Sequence, residues 1–246
     1  MKHLISLVLT LASVASAQQF GISTEKTRKE SPRSMFFEVK LSPYTPQLDR
    51  PFVGVVDASQ RPYTYMFGGT PMLLGEIEVD YQFFQKFGSL AAGLSVGYAE
   101  KFNKALDLAT GQRVDQSTGM RLVPIKAMLV YRFDWAKEKW GIPVVPYAKG
   151  AFVAMPYFLL SGVNLEEVSL NVGQGVKFGL GATLGLALEL DFLDKRLARD
   201  FDSSMGVNHT YLFAEGTVQG MALFNAEPRG LDFSSEHFMF GLGFEF

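Results

Sequence analysis

Apolar and polar residues alternate without a break at the C-terminal end of the chain. Every second position is apolar, and the positions are Phe238, Phe240, Leu242, Phe244 and Phe246. The residues between them are small, ionised or flexible: Met239, Gly241, Gly243 and Glu245. Because side chains of a β-strand point alternately to its two faces, this pattern predicts a strand with one wholly apolar face. Something apolar must cover that face.

The same alternation recurs in seven earlier segments, which we predict to be strands. They are residues 35–41, 76–83, 90–99, 121–133, 144–154, 176–192 and 209–219. With 238–246 they make eight strands, and an even number places both ends of an up-and-down sheet on the same side. The connections on that side, 84–89 and 134–143, are short. Those on the other side are long: 44–72, 100–119, 155–174 and 220–236.

Alternation alone does not decide which face of such a barrel is inside. A soluble lipocalin-like barrel turns its apolar face inward, whereas an outer-membrane barrel turns it outward to lipid. Two features besides the loop lengths favour the membrane. The polar face carries Gly, Ala and Ser between its charges, which suits the narrow lumen of eight strands. Aromatic residues gather at one set of strand ends, as in an interfacial girdle: Phe83, Phe84, Phe87, Tyr131, Phe133, Trp135, Trp140, Phe192, Phe244 and Phe246. The predicted fold is an eight-stranded antiparallel transmembrane β-barrel.

The N-terminus predicts export. A basic start at Lys2, an apolar middle and the small residues Ala15-Ser16-Ala17 are typical of a cleaved signal peptide, here residues 1–17. An N-terminal membrane anchor is the alternative, but the apolar run is shorter than the roughly 18 residues that a span needs. A polar tail, 18–33, then precedes the barrel, 34–246.

Composition excludes several classes of function. No later stretch is long and uncharged enough for a transmembrane helix. The chain has no cysteine, which rules out disulfides and thiolate metal sites. After removal of Lys2, 22 basic residues face 25 acidic ones, and no basic cluster suggests a nucleic-acid partner.

Thirteen charged residues fall on the face that a membrane barrel turns inward. They are Glu38, Lys40, Glu76, Glu78, Asp80, Lys126, Arg132, Lys149, Lys177, Glu189, Asp191, Glu215 and Glu245. An isolated ion in such a lumen is costly unless it is paired or hydrated. The sequence therefore predicts a salt-bridge network that fills the lumen. The surplus of acids leaves a second interpretation open, a narrow cation-preferring path for small solutes.

Signatures of an enzyme are weak. Beyond the signal peptide the chain has two histidines, His209 and His237, neither in a metal-binding spacing, and no G-x-S-x-G motif. His209 with Ser203 or Ser204 could form a base and nucleophile acting on lipid at the rim. We expect no catalytic, cofactor or metal site.

The export signal, the eight alternating segments and the aromatic last strand together resemble the small outer-membrane β-barrels of Gram-negative bacteria, such as the OmpA transmembrane domain, OmpX and OmpW. The resemblance covers about residues 34–246. It implies a monomeric barrel in outer-membrane lipid, and recognition of Phe240, Phe244 and Phe246 by the barrel-assembly machinery. It implies a fold and not an activity.

Specific function is expected at the external connections 44–72, 100–119, 155–174 and 220–236, where a surface ligand could bind. Each connection could instead fold over the barrel mouth as a lid. The connection 193–207 is too long for a short turn. Leu193, Leu197 and Phe201 recur at four-residue spacing there, which predicts one or two helical turns, with an irregular polar loop as the alternative.

The first prediction concerns Phe246. We expect Phe246→Asp to impair assembly into the outer membrane, because a charge replaces the aromatic end of the recognition pattern, while cleavage after Ala17 proceeds. The amount of heat-modifiable protein in outer-membrane fractions measures assembly, and the mass of the processed chain measures export. Normal membrane levels of the variant would refute the role of Phe246.

Overall fold

The computed structural model describes residues 34–106, 112–161, 170–191, 204–221 and 231–246. Within these ranges nine strands form one antiparallel sheet. They are β1 (Met35–Tyr44), β2 (Met72–Gln85), β3 (Ser89–Leu106), β4 (Arg113–Leu122), β5 (Ile125–Arg132), β6 (Val144–Ser161), β7 (Leu170–Glu189), β8 (His209–Gly220) and β9 (Ser235–Glu245). The predicted signal peptide and tail lie outside the described residues, as does 193–203 of the predicted helical turns.

The strands β4 and β5 are two pieces of one barrel strand. Both pair with β3 on one side and with β6 on the other, and only Val123 and Pro124 separate them. Proline has no N–H to donate, so the ladder is interrupted there. Its carbonyl still accepts a bond of 2.8 Å from the Gly97 amide, and Val123 donates one of 2.9 Å to the Pro156 carbonyl. The sheet therefore has eight barrel strands.

Pairing of the first and last strands closes the sheet. β1 pairs with β9 in a register that sets Phe37 opposite Phe244. The Phe246 carbonyl accepts hydrogen bonds from the amides of Ser34 and Met35, at 2.8 and 3.1 Å. The predicted eight-stranded antiparallel barrel with meander order is thus confirmed.

The two ends of the barrel differ. We call the end at Met35 and Glu245 the terminal rim; it also carries the turn 86–88 and the connection 133–143, which contains helix α2 (Trp135–Trp140). The opposite end, the loop rim, carries the connection 45–71 with two short 3-10 helices, Gln47–Phe52 and Ala58–Gln60, and helix α1 (Pro62–Phe67). None of the helices among the described residues is long and apolar enough to cross a membrane.

Two predicted loops are partly strand. The sequence predicts 100–119 and 155–174 as long connections between strands, but β3 continues to Leu106, β4 begins at Arg113, β6 continues to Ser161 and β7 begins at Leu170. In these extensions neither face has to be uniformly apolar, so the alternation fades while the backbone ladder continues. Two external loops are therefore shorter than the sequence predicts.

Outward positions along the strands are apolar. Exposed side chains include Val39 and Leu41 on β1, Ile77 and Val79 on β2, Leu184 and Leu186 on β7, and Phe240 and Leu242 on β9. A bulge between Gln82 and Phe84 in the β2–β3 pairing turns both Phe83 and Phe84 outward, where regular alternation would bury one. The pattern that the sequence predicted for the outer face is therefore present, with an extra aromatic at the terminal rim.

Glycines on the inner face make room for large side chains. A Cβ atom on Gly185 would overlap the ring of Tyr147, and one on Gly243 would lie 2.6 Å from the ring of Phe36. Gly150, on the outer face, has nothing within 4 Å of such a Cβ. Inward glycines thus allow large aromatic side chains to fit into the narrow interior of the barrel.

The second prediction compares two glycines. Gly185→Ala should lower the free energy of unfolding by about 1–3 kcal/mol, because the added methyl group displaces Tyr147 from the filled interior. Gly150→Ala is the control and should leave stability unchanged or slightly higher, since the methyl group meets open space. Denaturant unfolding in detergent micelles, followed by fluorescence of the two tryptophans, measures the difference. Equal effects at both positions would contradict the packing argument.

Candidate functional site

The middle of the lumen is an ionic layer centred on Lys149. Glu38 and Glu78 are direct neighbours across the β1–β2 pairing, an arrangement of like charges that alone is unfavourable. Lys149, on β6, points between them: its Nζ lies 2.6 Å from Glu38 Oε2 and 2.6 Å from Glu78 Oε1. One cation from another wall of the barrel therefore compensates the pair.

The other cations complete the layer. Lys40 is paired with Glu78 and lies 3.2 Å from Glu215 Oε1, measured from Nζ. Lys126 Nζ lies 2.6 Å from Glu76 Oε2. Arg132 is paired with Asp80 and donates to Glu38 Oε1 at 2.9 Å. Five carboxylates thus share four cations, drawn from β1, β2, β5, β6 and β8.

The ionic layer leaves little open space. A cavity bounded by Lys40, Glu76 and Lys126 among others has a volume of about 10 Å³, room for at most one water molecule. Single oxygens of Glu76 and Asp80 are buried without a hydrogen-bond partner among the described residues. An isolated water could serve such atoms.

An apolar layer closes the lumen at the loop rim. Inward side chains of the barrel form it with residues of the connections, and the buried members are Tyr44, Leu48, Tyr63, Phe67, Met72, Leu74, Ala99, Met120, Leu122, Val153, Met155, Met221, Phe233 and Met239. Leu48, Tyr63 and Phe67 come from the connection 45–71, and Met221 and Phe233 from the one after β8. The Tyr44 hydroxyl donates to the Phe233 carbonyl at 2.6 Å, which ties the two parts together.

The connection 45–71 is held in place by Asp49. Its carboxylate accepts bonds from the amides at the start of α1, 2.6 Å from Tyr63 N and 3.1 Å from Thr64 N. These are amides without a partner inside the helix. Burial raises the pKa of the Tyr63 hydroxyl to about 12, with Asp49 adding to the rise, so the group stays protonated and donates to the Thr70 carbonyl at 2.7 Å. This connection therefore folds over the barrel mouth.

Aromatic side chains form a third layer near the terminal rim. Phe36, Tyr147, Tyr211 and Phe213 are buried there with Val145 and Ala187. The Arg132 guanidinium lies 4.0 Å from the centre of the Phe36 ring, a cation–π contact that joins this layer to the ionic one. The Tyr147 hydroxyl makes a second link, since it donates to Glu215 Oε2 at 2.9 Å.

A cluster of ionisable side chains lies at the terminal rim between β7 and β8. His209 Nδ1 lies 2.6 Å from Asp191 Oδ2 and 3.8 Å from Glu189 Oε1. Lys137, from α2, reaches Glu189 Oε2 at 2.6 Å and donates to the Tyr211 hydroxyl at 2.6 Å. Of the two serines considered as nucleophiles beside His209, Ser203 lies outside the described residues.

The thirteen charges predicted to face the lumen fall into two groups. Ten are buried inside the barrel: Glu38, Lys40, Glu76, Glu78, Asp80, Lys126, Arg132, Lys149, Glu215 and Glu245. Lys177 is half-buried nearer the loop rim, and Glu189 and Asp191 are half-buried at the terminal rim. Glu245, one of the ten buried residues, adjoins the rim cluster, because it pairs with His209 in the β8–β9 register and accepts a bond of 3.0 Å from the Tyr211 hydroxyl.

Sequence reasoning missed the apolar layer. At its strand positions both faces are apolar, as at Leu73, which points outward, and Leu74, which points inward. Alternation therefore gives no signal there, and the predicted strand begins only at residue 76, whereas β2 begins at Met72. The buried aromatics Phe36, Tyr147 and Tyr211 lay on the correct face, but only the closed barrel brings them together.

Comparisons with known proteins find structural likeness alone. No family model matches the chain, and no curated protein matches it. The chain is similar to Neisserial surface protein A, with 13% identity and a TM-score of 0.49 over 88% of this chain and 98% of that one. It is similar to Ail, the attachment invasion locus protein of Yersinia pestis, with 11% identity and a TM-score of 0.42 over 87% and 97% of the two chains.

The N-terminal β-barrel domain of OprF from Pseudomonas aeruginosa is a third similar structure. It shares 14% identity and a TM-score of 0.36 over 87% of this chain and 97% of that one. At these values the assignment of the fold rests on the strand pairing described above.

The third prediction concerns the ionic layer. Lys149→Met should lower the free energy of unfolding by about 3–5 kcal/mol, because it removes one of the two cations, Lys149 and Lys40, that contact both Glu38 and Glu78, and leaves these buried carboxylates opposite each other with too little positive charge. Lys104→Met is the matched control: Lys104 pairs with Asp115 at 3.2 Å, but its side chain is 62% exposed, so little change is expected. Denaturant titration in micelles compares the two, and a small effect at Lys149 would mean that the layer is hydrated.

Proposed function

We propose that this protein is a bacterial outer-membrane β-barrel with a closed lumen, which serves a structural role or presents a binding surface at its loop rim. It acts as a monomer and carries no catalytic centre. The observation that carries the proposal is the filling of the lumen at three levels: apolar at the loop rim, ionic in the middle and aromatic at the terminal rim.

The outer face supports the membrane assignment. Between the rims, the outward positions of the described strands carry no charged side chain, which suits contact with lipid. The first outward charges on the β3–β4 hairpin are Glu100 and Arg121, with 3.5 Å between Arg121 Nε and Glu100 Oε2, and they lie beyond Tyr98 toward the loop rim. Exposed aromatics such as Phe83, Phe87 and Trp140 mark the opposite boundary.

A closed lumen argues against conduction. An ion crossing the barrel has to displace the apolar side chains of the loop rim and separate ion pairs that are shielded from water, and both steps are costly. The about 10 Å³ cavity beside Lys40 provides no path around them. The ionic layer therefore serves to fill and fix the barrel.

The loop rim is the part suited to recognition. Helix α1 and the two 3-10 helices give the connection 45–71 a defined shape, and it borders an open depression of about 490 Å³. Asp49, Arg50, Thr64 and Glu236 are among the residues that line this depression. A surface ligand would meet charged and polar groups there, in front of a mouth that is already closed.

A second candidate function, a narrow cation-preferring path, is favoured by one observation. Five carboxylates share four cations in the ionic layer, so the lumen carries surplus negative charge that would attract a cation. This function requires the apolar layer at the loop rim to open.

The terminal strand fits the role proposed for it in assembly. Phe240 and Phe244 point outward on β9, and the Phe246 carbonyl pairs with the first residues of the barrel. We propose that the barrel-assembly machinery recognises this strand before it pairs with β1. This order explains how β9 can serve first as the recognition signal for assembly and then as the strand that closes the barrel.

The fourth prediction tests the closed lumen. The purified protein should migrate differently on a denaturing gel before and after heating, and in planar bilayers the same folded sample should give no steady conductance steps. An apolar, an ionic and an aromatic layer hold the path shut, so Glu78→Gln, which changes the ionic layer alone, should not open it.

Three outcomes would contradict the proposal. Steady cation-selective steps that shift with Glu78→Gln or Asp80→Asn would establish the channel instead. An unshifted band on the gel would count against the membrane barrel. Turnover of lipid that is lost in His209→Ala would overturn the assignment as a non-enzyme.

A further inference from the structure

The side chains of Glu189, Asp191 and His209 converge at the terminal rim. Glu189 ends β7, Asp191 follows two residues later, and His209 begins β8. The register of the two strands sets Glu189 opposite Tyr211, and the Leu190 amide donates to the Thr210 carbonyl at 2.8 Å. Residues two apart on a strand share a face, so the backbone ladder itself brings the three side chains to one place.

The distances between these side chains fit a bound metal ion. One ligand atom from each residue lies within 4.8 Å of the others. A zinc-like ion lies about 2.0–2.2 Å from imidazole nitrogen and carboxylate oxygen, which places neighbouring ligand atoms about 3.0–3.5 Å apart. The separations of His209 Nδ1 from Asp191 Oδ2 and from Glu189 Oε1, 2.6 and 3.8 Å, lie on either side of that range. Small side-chain rotations would complete the coordination.

Charge and protonation also leave room for a cation. The two carboxylates share one lysine, Lys137, and one imidazole. Lys137 contacts Glu189 Oε2, which leaves the other carboxylate oxygen of Glu189 directed toward His209. His209 Nε2 is buried and has no hydrogen-bond partner among the described residues, so the proton can lie there while Nδ1 binds a metal. The Thr210 amide, 3.2 Å from Asp191 Oδ1, orients the second carboxylate.

We propose that Glu189, Asp191 and His209 form a binding site for one divalent transition-metal ion at the terminal rim. One imidazole nitrogen with two carboxylate oxygens suits Zn²⁺, Ni²⁺ or Co²⁺ better than Ca²⁺ or Mg²⁺, which prefer oxygen ligands alone. The three ligands leave positions for water. The bound ion joins β7 to β8 at the edge of the barrel and thereby stabilises the folded state.

A second carboxylate group in the barrel does not carry the same inference. Glu38, Glu78 and Asp80 also lie close enough together to hold an ion. Lys149, Lys40 and Arg132 already occupy the space that a metal would take. The rim cluster differs because it includes a histidine and because, among the described residues, a single lysine, Lys137, pairs with its carboxylates.

The fifth prediction is metal binding by the untagged, full-length protein in non-ionic detergent. Titration with Zn²⁺ in a calorimeter should give one saturable site, and Co²⁺ should give a visible absorption band. Asp191→Asn and His209→Ala should each lower the affinity at least about tenfold and weaken the band, because each removes a ligand. His237→Ala is the control, since His237 is a buried histidine that bonds Ser235 on β9.

The folded state of every variant is checked by its heat-modifiable migration. If His209→Ala does not fold, the metal affinity of Asp191→Asn tests the site instead, because this substitution keeps the size of the side chain. Absence of a saturable site in the wild type, or unchanged binding in the folded ligand variants, would overturn the site and leave a hydrogen-bonded His209–Asp191 pair. Neither result bears on conductance or membrane assembly, so the site and the proposed function fail independently.

Discussion

Closure of the sheet by the pairing of β1 with β9 is the constraint on which the other features depend. Among the barrel strands it leaves no open edge, so backbone N–H and C=O groups find partners within the sheet itself. A structure of this kind can expose its outer face to lipid because no unsatisfied backbone group has to enter an apolar medium. The apolar outward positions and the exposed aromatics at the terminal rim follow from that exposure.

Closure with eight strands also fixes how narrow the interior is. Side chains from opposite walls then meet, and each inward residue has to fit those it reaches. Gly185 leaves space for the ring of Tyr147, and Gly243 leaves space for the ring of Phe36. Charges are matched in the same way: Lys149 on β6 reaches across the interior and pairs with the neighbouring carboxylates of Glu38 on β1 and Glu78 on β2.

At the terminal rim the strand pairing also brings side chains together, but these side chains are packed less tightly than those inside the barrel. Glu189, Asp191 and His209 share a face for the reason that Glu38 and Lys40 do, but they are half-buried and reach only one lysine from α2. We therefore place the proposed binding chemistry at the two ends of this barrel, at the rim cluster and at the loop rim, where side chains are partly exposed.

The alternation along the chain predicts most of the strand residues, their inward and outward faces and the closed barrel, because a period-2 pattern, from Met35 to Glu245, distinguishes the apolar side of each strand from the polar side. It placed Lys149 on the inner face but could not name its partners. It predicts the start of β2 at residue 76 instead of Met72 and places 155–161 in a loop, since alternation vanishes where both faces are apolar and where neither face has to be. Only the tertiary structure decided the three layers of the lumen and the meeting of His209 with Asp191 and Glu189, because these contacts depend on strand register and closure, which bring together residues far apart in the chain.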